Sequence, residues 1–200
     1  MTTTMNFSSV RSLDPLVDEQ NLIRLSQAGD QDTFARLYDA YIERIYRYVY
    51  FRVADEELAE DITSQVFLKV WEKLHTYQAG QSPFMAWLYR IAHNAVIDYY
   101  RTRKVSIPLE EASPIEVSHA DEINERLDLQ VKSQHLRKAL QELTEEQQQV
   151  LLLKFVGGLS TSEIAQQLSK QQGAVRALQM RGLQALSKCP DLQAEQLYDR

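Results

Sequence analysis

Residues 158–179 read GLSTSEIAQQLSKQQGAVRALQ, two short helical patterns on either side of a polar break. Ser160 and Glu163 have the spacing of a capping box, in which each side chain satisfies a free backbone N–H near the other. A helix is therefore expected to start there and to run through Ile164, Ala165 and Leu168. Ser169 to Gln171 breaks the pattern, and a second helix then carries Val175, Leu178, Leu183 and Leu186 inward. Gln172, Arg176 and Gln179, at i, i+4 and i+7, share another face. This is helix-turn-helix spacing. A short first helix braces a second whose polar face suits the major groove, with donors for base edges and phosphates, and Arg176 is the strongest single candidate for a contact. Solvated helices also present such faces, so the motif alone leaves DNA binding as one of two readings.

Working outward, Thr144 and Gln147 form another capping box before the apolar run Val150 to Val156, and Gly157 and Gly158 can end that helix in left-handed conformations. Helical spacing reaches back through Leu143, Leu140, Leu136, Leu127 and Ile123. Between Arg103 and Asp121 it fades, and Pro108, Pro114 and several acids favour an extended or flexible connection. Before this connection lies a second helical body. Phe34, Leu37, Tyr38, Tyr41, Ile42, Ile45, Tyr46 and Val49 make one amphipathic stripe with Asp32 as its N-cap. Asp55 caps a helix lined by Ile62, Val66, Val70 and Leu74, and a third helix starts at Pro83 and carries Phe84, Trp87, Leu88, Ile91, Ala92, Ala95 and Val96. Trp71 and Trp87 are assigned to the core. The fold class expected is all-α: two small helical domains, residues 21–104 and 133–188, with a tail of 1–20, a linker of 105–132 and a tail of 189–200.

The chain of 200 residues carries a formal charge of -6, an unpromising balance for a protein that binds phosphates. The charge is unevenly spread. Acidic and basic residues balance from Gln31 to Lys104, the acid is concentrated from Val105 to Lys132, and Ser133 to Lys188 carries a net +3. Cys189 is the only cysteine, and His75, His93, His119 and His135 are scattered without metal-ligand spacing, so neither a disulfide within the chain nor a metal cluster is expected. No phosphate loop or nucleophile constellation occurs, which sets a nucleic-acid enzyme aside; no cofactor is expected. No run approaches a membrane span and the first residues lack a secretory pattern, so a cytoplasmic location is the expectation.

Three blocks of the sequence resemble the sigma-70 family of RNA polymerase sigma factors, in the small extracytoplasmic-function (ECF) form that keeps only domains 2 and 4. Residues 59–67, AEDITSQVF, are similar to the family's A-E-D-L-T-Q-E-V-F, with Ser64 and Gln65 standing where Gln and Glu are usual. Residues 87–94, WLYRIAHN, followed by Asp98 and Arg101, match W-L-x-R-I-A-x-N-x-x-x-D-x-x-R. Residues 158–176 resemble G-L-S-x-x-E-I-A-x-x-L and G-T-V-K/R. The resemblance implies that Asp61, Ser64, Gln65 and Leu68 bind the clamp coiled coil of the largest subunit of core RNA polymerase. It implies that Arg90, Asn94, Asp98 and Arg101 serve the promoter -10 element, with Tyr77 in a loop that receives a flipped base. It implies that Gln171, Gln172, Arg176, Gln179 and Arg181 read the -35 element. The partners implied are core polymerase, through that clamp and the flap of its second largest subunit, promoter DNA and an anti-sigma factor, with no membrane insertion. The function implied is promoter recognition and assisted melting in transcription initiation, with no enzymatic step. The alternative is a stand-alone helix-turn-helix regulator whose N-terminal helices sense a ligand or form a dimer.

Overall fold

The computed structural model describes residues 18–53, 55–106, 124–190 and 192, with side chains described over 18–53, 55–102, 133–190 and 192. All regular structure among these residues is helical. Most of the expected tails, and residues 107–123 of the acidic connection, lie outside the described residues.

The first module consists of α1 (Glu19–Gln27), α2 (Gln31–Tyr50), α3 (Glu56–Lys73), a 3-10 turn (Leu74–Thr76) and α4 (Phe84–Ser106). The cap of α2 lies two residues earlier than expected: Asp30, not Asp32, accepts from the Asp32 and Thr33 backbone N–H groups. Gly29, at φ 94, makes the tight turn out of α1 and places Asp30 there. The expected stripe supplies Leu37, Tyr41, Ile45 and Val49 to the core, and Tyr48 joins them, fully buried with its ring 5.0 Å from that of Tyr89 on α4. Asp55 caps α3 as expected, accepting from Leu58 N–H at 2.7 Å, and Ile62, Val66 and Val70 are buried beneath it. Trp71 departs from expectation. It is 38% exposed, with one edge against Phe34, because α3 turns its side chain just beyond the buried stripe. Phe84, Leu88, Tyr89, Ala92 and Val96 fill the core from α4, and Trp87 is half-buried on Phe84.

The second part contains α5 (Asn124–Gln141), α6 (Glu145–Phe155), α7 (Thr161–Gln167) and α8 (Gln172–Leu186). Helix α5 begins inside the range expected to be linker. Both expected capping boxes are present, Thr144 with Gln147 and Ser160 with Glu163. Of the two glycines after α6, only Gly158 is left-handed, at φ 68. Gly157 serves close approach instead: a Cβ there would stand 2.5 Å from the Leu153 carbonyl oxygen and 2.9 Å from the Tyr89 ring of the first module. Helix α8 crosses α6 on Val175, Leu178 and Gly182, where a Cβ on Gly182 would press on Leu151. Leu183, expected inside, is 43% exposed because Gly182 occupies the contact; Leu186 is half-buried.

Candidate nucleic-acid interface

The polar and basic strip of the first module is built on α4. Arg90, Asn94, Asp98 and Arg101 recur at helical spacing; Arg90, Asn94 and Arg101 are exposed and Asp98 half-buried. Asp98 pairs with Arg101 at 3.0 Å and with Lys69 of α3 at 3.7 Å, so its carboxylate orients two cations. Tyr77 sits differently from an open stacking platform. Its ring is 8% exposed, packed against Phe84 and Trp87, and its hydroxyl donates to the Ser82 carbonyl at 2.9 Å. The 77–84 loop folds over the ring, which becomes a wall of a cavity of about 370 Å³ shared with Ile23, Gly80 and Ser82. This volume is in the range of small-ligand sites.

On α3, Asp61, Ser64, Gln65 and Leu68 are all exposed on the side away from Ile62, Val66 and Val70. Leu68 is 66% exposed, and Trp71 lies one turn further along the same strip. The strip thus has an acidic start and an apolar end, the mixed chemistry of a protein contact. The i, i+3 spacing of Leu68 and Trp71 was the signal for this extension, and a general preference of tryptophan for cores hid it.

In the helix-turn-helix, Gln171, Gln172 and Arg176 are exposed and Gln179 is half-buried on one side of α8. Arg181 is exposed but stands roughly 140° around the helix from Arg176, at about 100° per residue. The structure therefore brings Gln171, Gln172, Arg176 and Gln179 together and sets Arg181 apart. Met180, 60% exposed, and Leu183 continue the Arg176 side toward the C-terminus.

The two modules touch along a seam, through the approach of Gly157 to the Tyr89 ring and through a set of polar contacts around it. Arg90, His93 and Asn94 face Glu146, Gln149, Gln167 and Lys170 across a cavity of about 340 Å³. Gln166 of α7 donates to the Gln81 carbonyl at 3.1 Å, in the loop that covers Tyr77. At the other end Gln148 donates to the carbonyl of Phe51, the C-cap of α2, and Gln141 to that of Val53 in the turn that follows. Arg137 lies over the Tyr50 ring at 4.6 Å. Between these contacts Arg52 is buried, bonded to the Tyr48 hydroxyl at 3.1 Å, His93 Nδ1 at 3.0 Å and Glu145 at 3.4 Å. Burial, then the neighbouring Arg52 cation, pushes the His93 imidazole down to about 4, while Glu145 opposes the shift. Arg52 carried no motif signal, since two of its three partners, His93 and Glu145, come from distant parts of the chain.

No group of three or more His, Cys, Asp and Glu among the described residues is arranged to hold a metal ion. No helix there is long and apolar enough to cross a membrane. A helical module with a polar strip on α4 is joined to a helix-turn-helix, a geometry that suits a nucleic-acid groove. Comparison with known proteins makes the class specific. Sigma-70 region 2 matches residues 37–105, and Sigma-70, region 4 matches residues 133–186. The chain is 30% identical over 175 residues to the ECF RNA polymerase sigma factor SigX of Bacillus subtilis, across 84% of this chain and 89% of SigX. It is 34% identical over 172 residues to the ECF RNA polymerase sigma factor BldN of Streptomyces coelicolor, across 84% of this chain and 64% of BldN. Among solved structures, CnrH in complex with the cytosolic domain of CnrY shares the fold at a TM-score of 0.65 and 21% identity, over 84% of this chain and 94% of that one. RpoE from Bartonella quintana, in complex with the anti-sigma factor NepR, does so at 0.60 and 19%, over 78% and 95%. The chain belongs to the sigma-70 family of RNA polymerase sigma factors, in its ECF group.

Proposed function

We propose that this chain is an alternative sigma factor that works in the bacterial cytoplasm, binds core RNA polymerase and directs it to promoters with its own -10 and -35 elements. The observation that carries the reading is the division of labour between modules: Arg90, Asn94 and Arg101 are exposed on α4, and Gln172 and Arg176 are exposed on the recognition helix of another module. The α3 strip that ends in Leu68 and Trp71 serves the clamp coiled coil, and the flap of the second largest subunit takes the second module. Asn94 offers an amide to a base edge or to the strand backbone. The cavity behind the 77–84 loop receives an unstacked base, with Tyr77 as its wall. Asp98 acts by holding Lys69 and Arg101 toward the phosphates. Gln171, Gln172, Arg176 and Gln179 form the -35 surface, and Arg181 serves phosphates to one side of it. Melting is then capture of unpaired bases, with nucleotide addition left to the polymerase.

The net charge of -6 and the seam that faces Arg90 and Asn94 toward the second module both disfavour DNA binding by the free chain. Polymerase, by holding the modules apart at promoter spacing, makes two weak contacts act as one strong one. Since CnrH and RpoE were each solved with a protein partner, and NepR is an anti-sigma factor, we infer an inhibitor of that kind for this chain as well. The experiment is purified core polymerase mixed with the chain and a labelled promoter duplex. The proposal expects a stable core complex and duplex binding only when core is present. Tight sequence-specific duplex binding by the chain alone would favour the stand-alone regulator.

A further inference from the structure

Arg52 is a buried cation with an incomplete set of partners at the edge of the α4 strip. Its side chain is 4% exposed, and its Nε has no hydrogen-bond partner. A guanidinium only donates, so His93 Nδ1 must be the bare acceptor nitrogen and the ring proton sits on Nε2. Tyr48 and His93 belong to the same module as Arg52 and stay with it whatever the second module does. Its carboxylate comes from the other module: Glu145, in the first turn of α6, 57% exposed and 3.4 Å away. The next residue, Glu146, lines the cavity opposite Arg90 and Asn94, although its own ion pair is with Lys170 at 2.7 Å. When the modules separate, the guanidinium is left without a counter-ion, beside His93 on α4.

We propose that Arg52 is a further contact for the promoter backbone, and that in the closed chain Glu145 stands where a DNA phosphate stands in the open one. Carboxylate and phosphate oxygens are interchangeable acceptors for the guanidinium fork, so one cation can latch the modules together and later grip the strand. The incomplete coordination suits an exchange of anions: the Glu145 contact is long, at 3.4 Å, and Nε still has a proton to donate. Gln141 at the end of α5 and Gln148 of α6, bonded to the carbonyls on either side of Arg52, hold the second module over it until the seam opens. The inference rests on the promoter-binding reading and adds to it a residue that lies within the matched region 2 but outside the three short sequence blocks that carry the resemblance.

The full chain, without polymerase, is titrated onto a dye-labelled single strand of randomised sequence, roughly 12 nucleotides long. In parallel, energy transfer between dyes on Cys189 and on an introduced Asp39→Cys reports the distance between modules. Glu145→Gln is expected to lower energy transfer and to tighten strand binding roughly tenfold. Adding Arg52→Gln should cancel that gain and reduce the slope of log affinity against log salt by about 0.7, the loss of one phosphate contact on a single strand. Arg52→Lys guards against misfolding of the glutamine variant; in the Glu145→Gln background it should keep the salt slope and lose part of the affinity, as a point charge replaces a fork. Unchanged energy transfer in Glu145→Gln would overturn the latch. Opening without a gain in strand affinity, or a gain that survives Arg52→Gln, would overturn the phosphate role. Initiation by the wild-type chain on core polymerase is measured alongside: its failure would sink the promoter reading, whereas its success with no gain from Glu145→Gln sinks this inference alone.

Discussion

At the scale of the residue, His93 shows how the seam sets chemistry. The unfolded imidazole titrates near 6.5 and the folded one near 4, so between these values the unfolded chain binds a proton that the folded chain refuses. Stability carried by this site is present above 6.5, falls through the window and is lost by pH 4. A thermal melt should therefore drop further from pH 7 to pH 5 in wild type than in His93→Gln; equal drops would contradict the burial of a neutral imidazole. Exposure of Arg90, Asn94 and Arg176 was legible in the sequence, because helical spacing sets them off from buried neighbours. The setting of Tyr77 and Trp71 was not. Tyr77 is covered by a loop whose path depends on its bond to Ser82, and Trp71 lies at a stripe edge where one helical step decides between core and solvent.

At the scale of the element, the capping boxes of α6 and α7 were readable because both halves lie within four residues of each other. Replacing Ser160 with Ala should cost about 1 kcal/mol in chemical denaturation and loosen the brace of the recognition helix. Little or no loss would mean that tertiary packing alone holds α7. Helix α3 makes the opposite case. Leu68→Ala removes an exposed side chain and should leave stability within about 0.5 kcal/mol of wild type, while affinity for core polymerase falls several-fold. An unchanged core affinity would remove α3 from the polymerase contact. Helix boundaries were unevenly legible: α2 is capped by Asp30 rather than Asp32 because Gly29 turns the chain there, whereas the start of α5 at Asn124 follows the helical spacing that returns at Ile123.

At the scale of the whole molecule, two helical bodies and their order were legible, since two motif-bearing segments flank a stretch without periodicity. Their mutual contact was not. Gln141 and Gln148 meet carbonyls 88 and 97 residues away, and glutamine side chains carry no pattern that would announce such pairings. The seam gives a physical reason for an acidic chain to leave DNA alone while its modules are closed, and the proposal assigns their separation to polymerase. The central claim is that these modules read two promoter elements for the polymerase. It is tested most directly by sequencing transcripts made by core polymerase from a randomised promoter library. With the wild-type chain, initiation should select two boxes at fixed spacing. Asn94→Ala should relax the choice in the downstream box, Arg176→Ala should relax it in the upstream box, each loss being about 1–3 kcal/mol of discrimination. Initiation no greater or more selective than that of core polymerase alone would contradict the account.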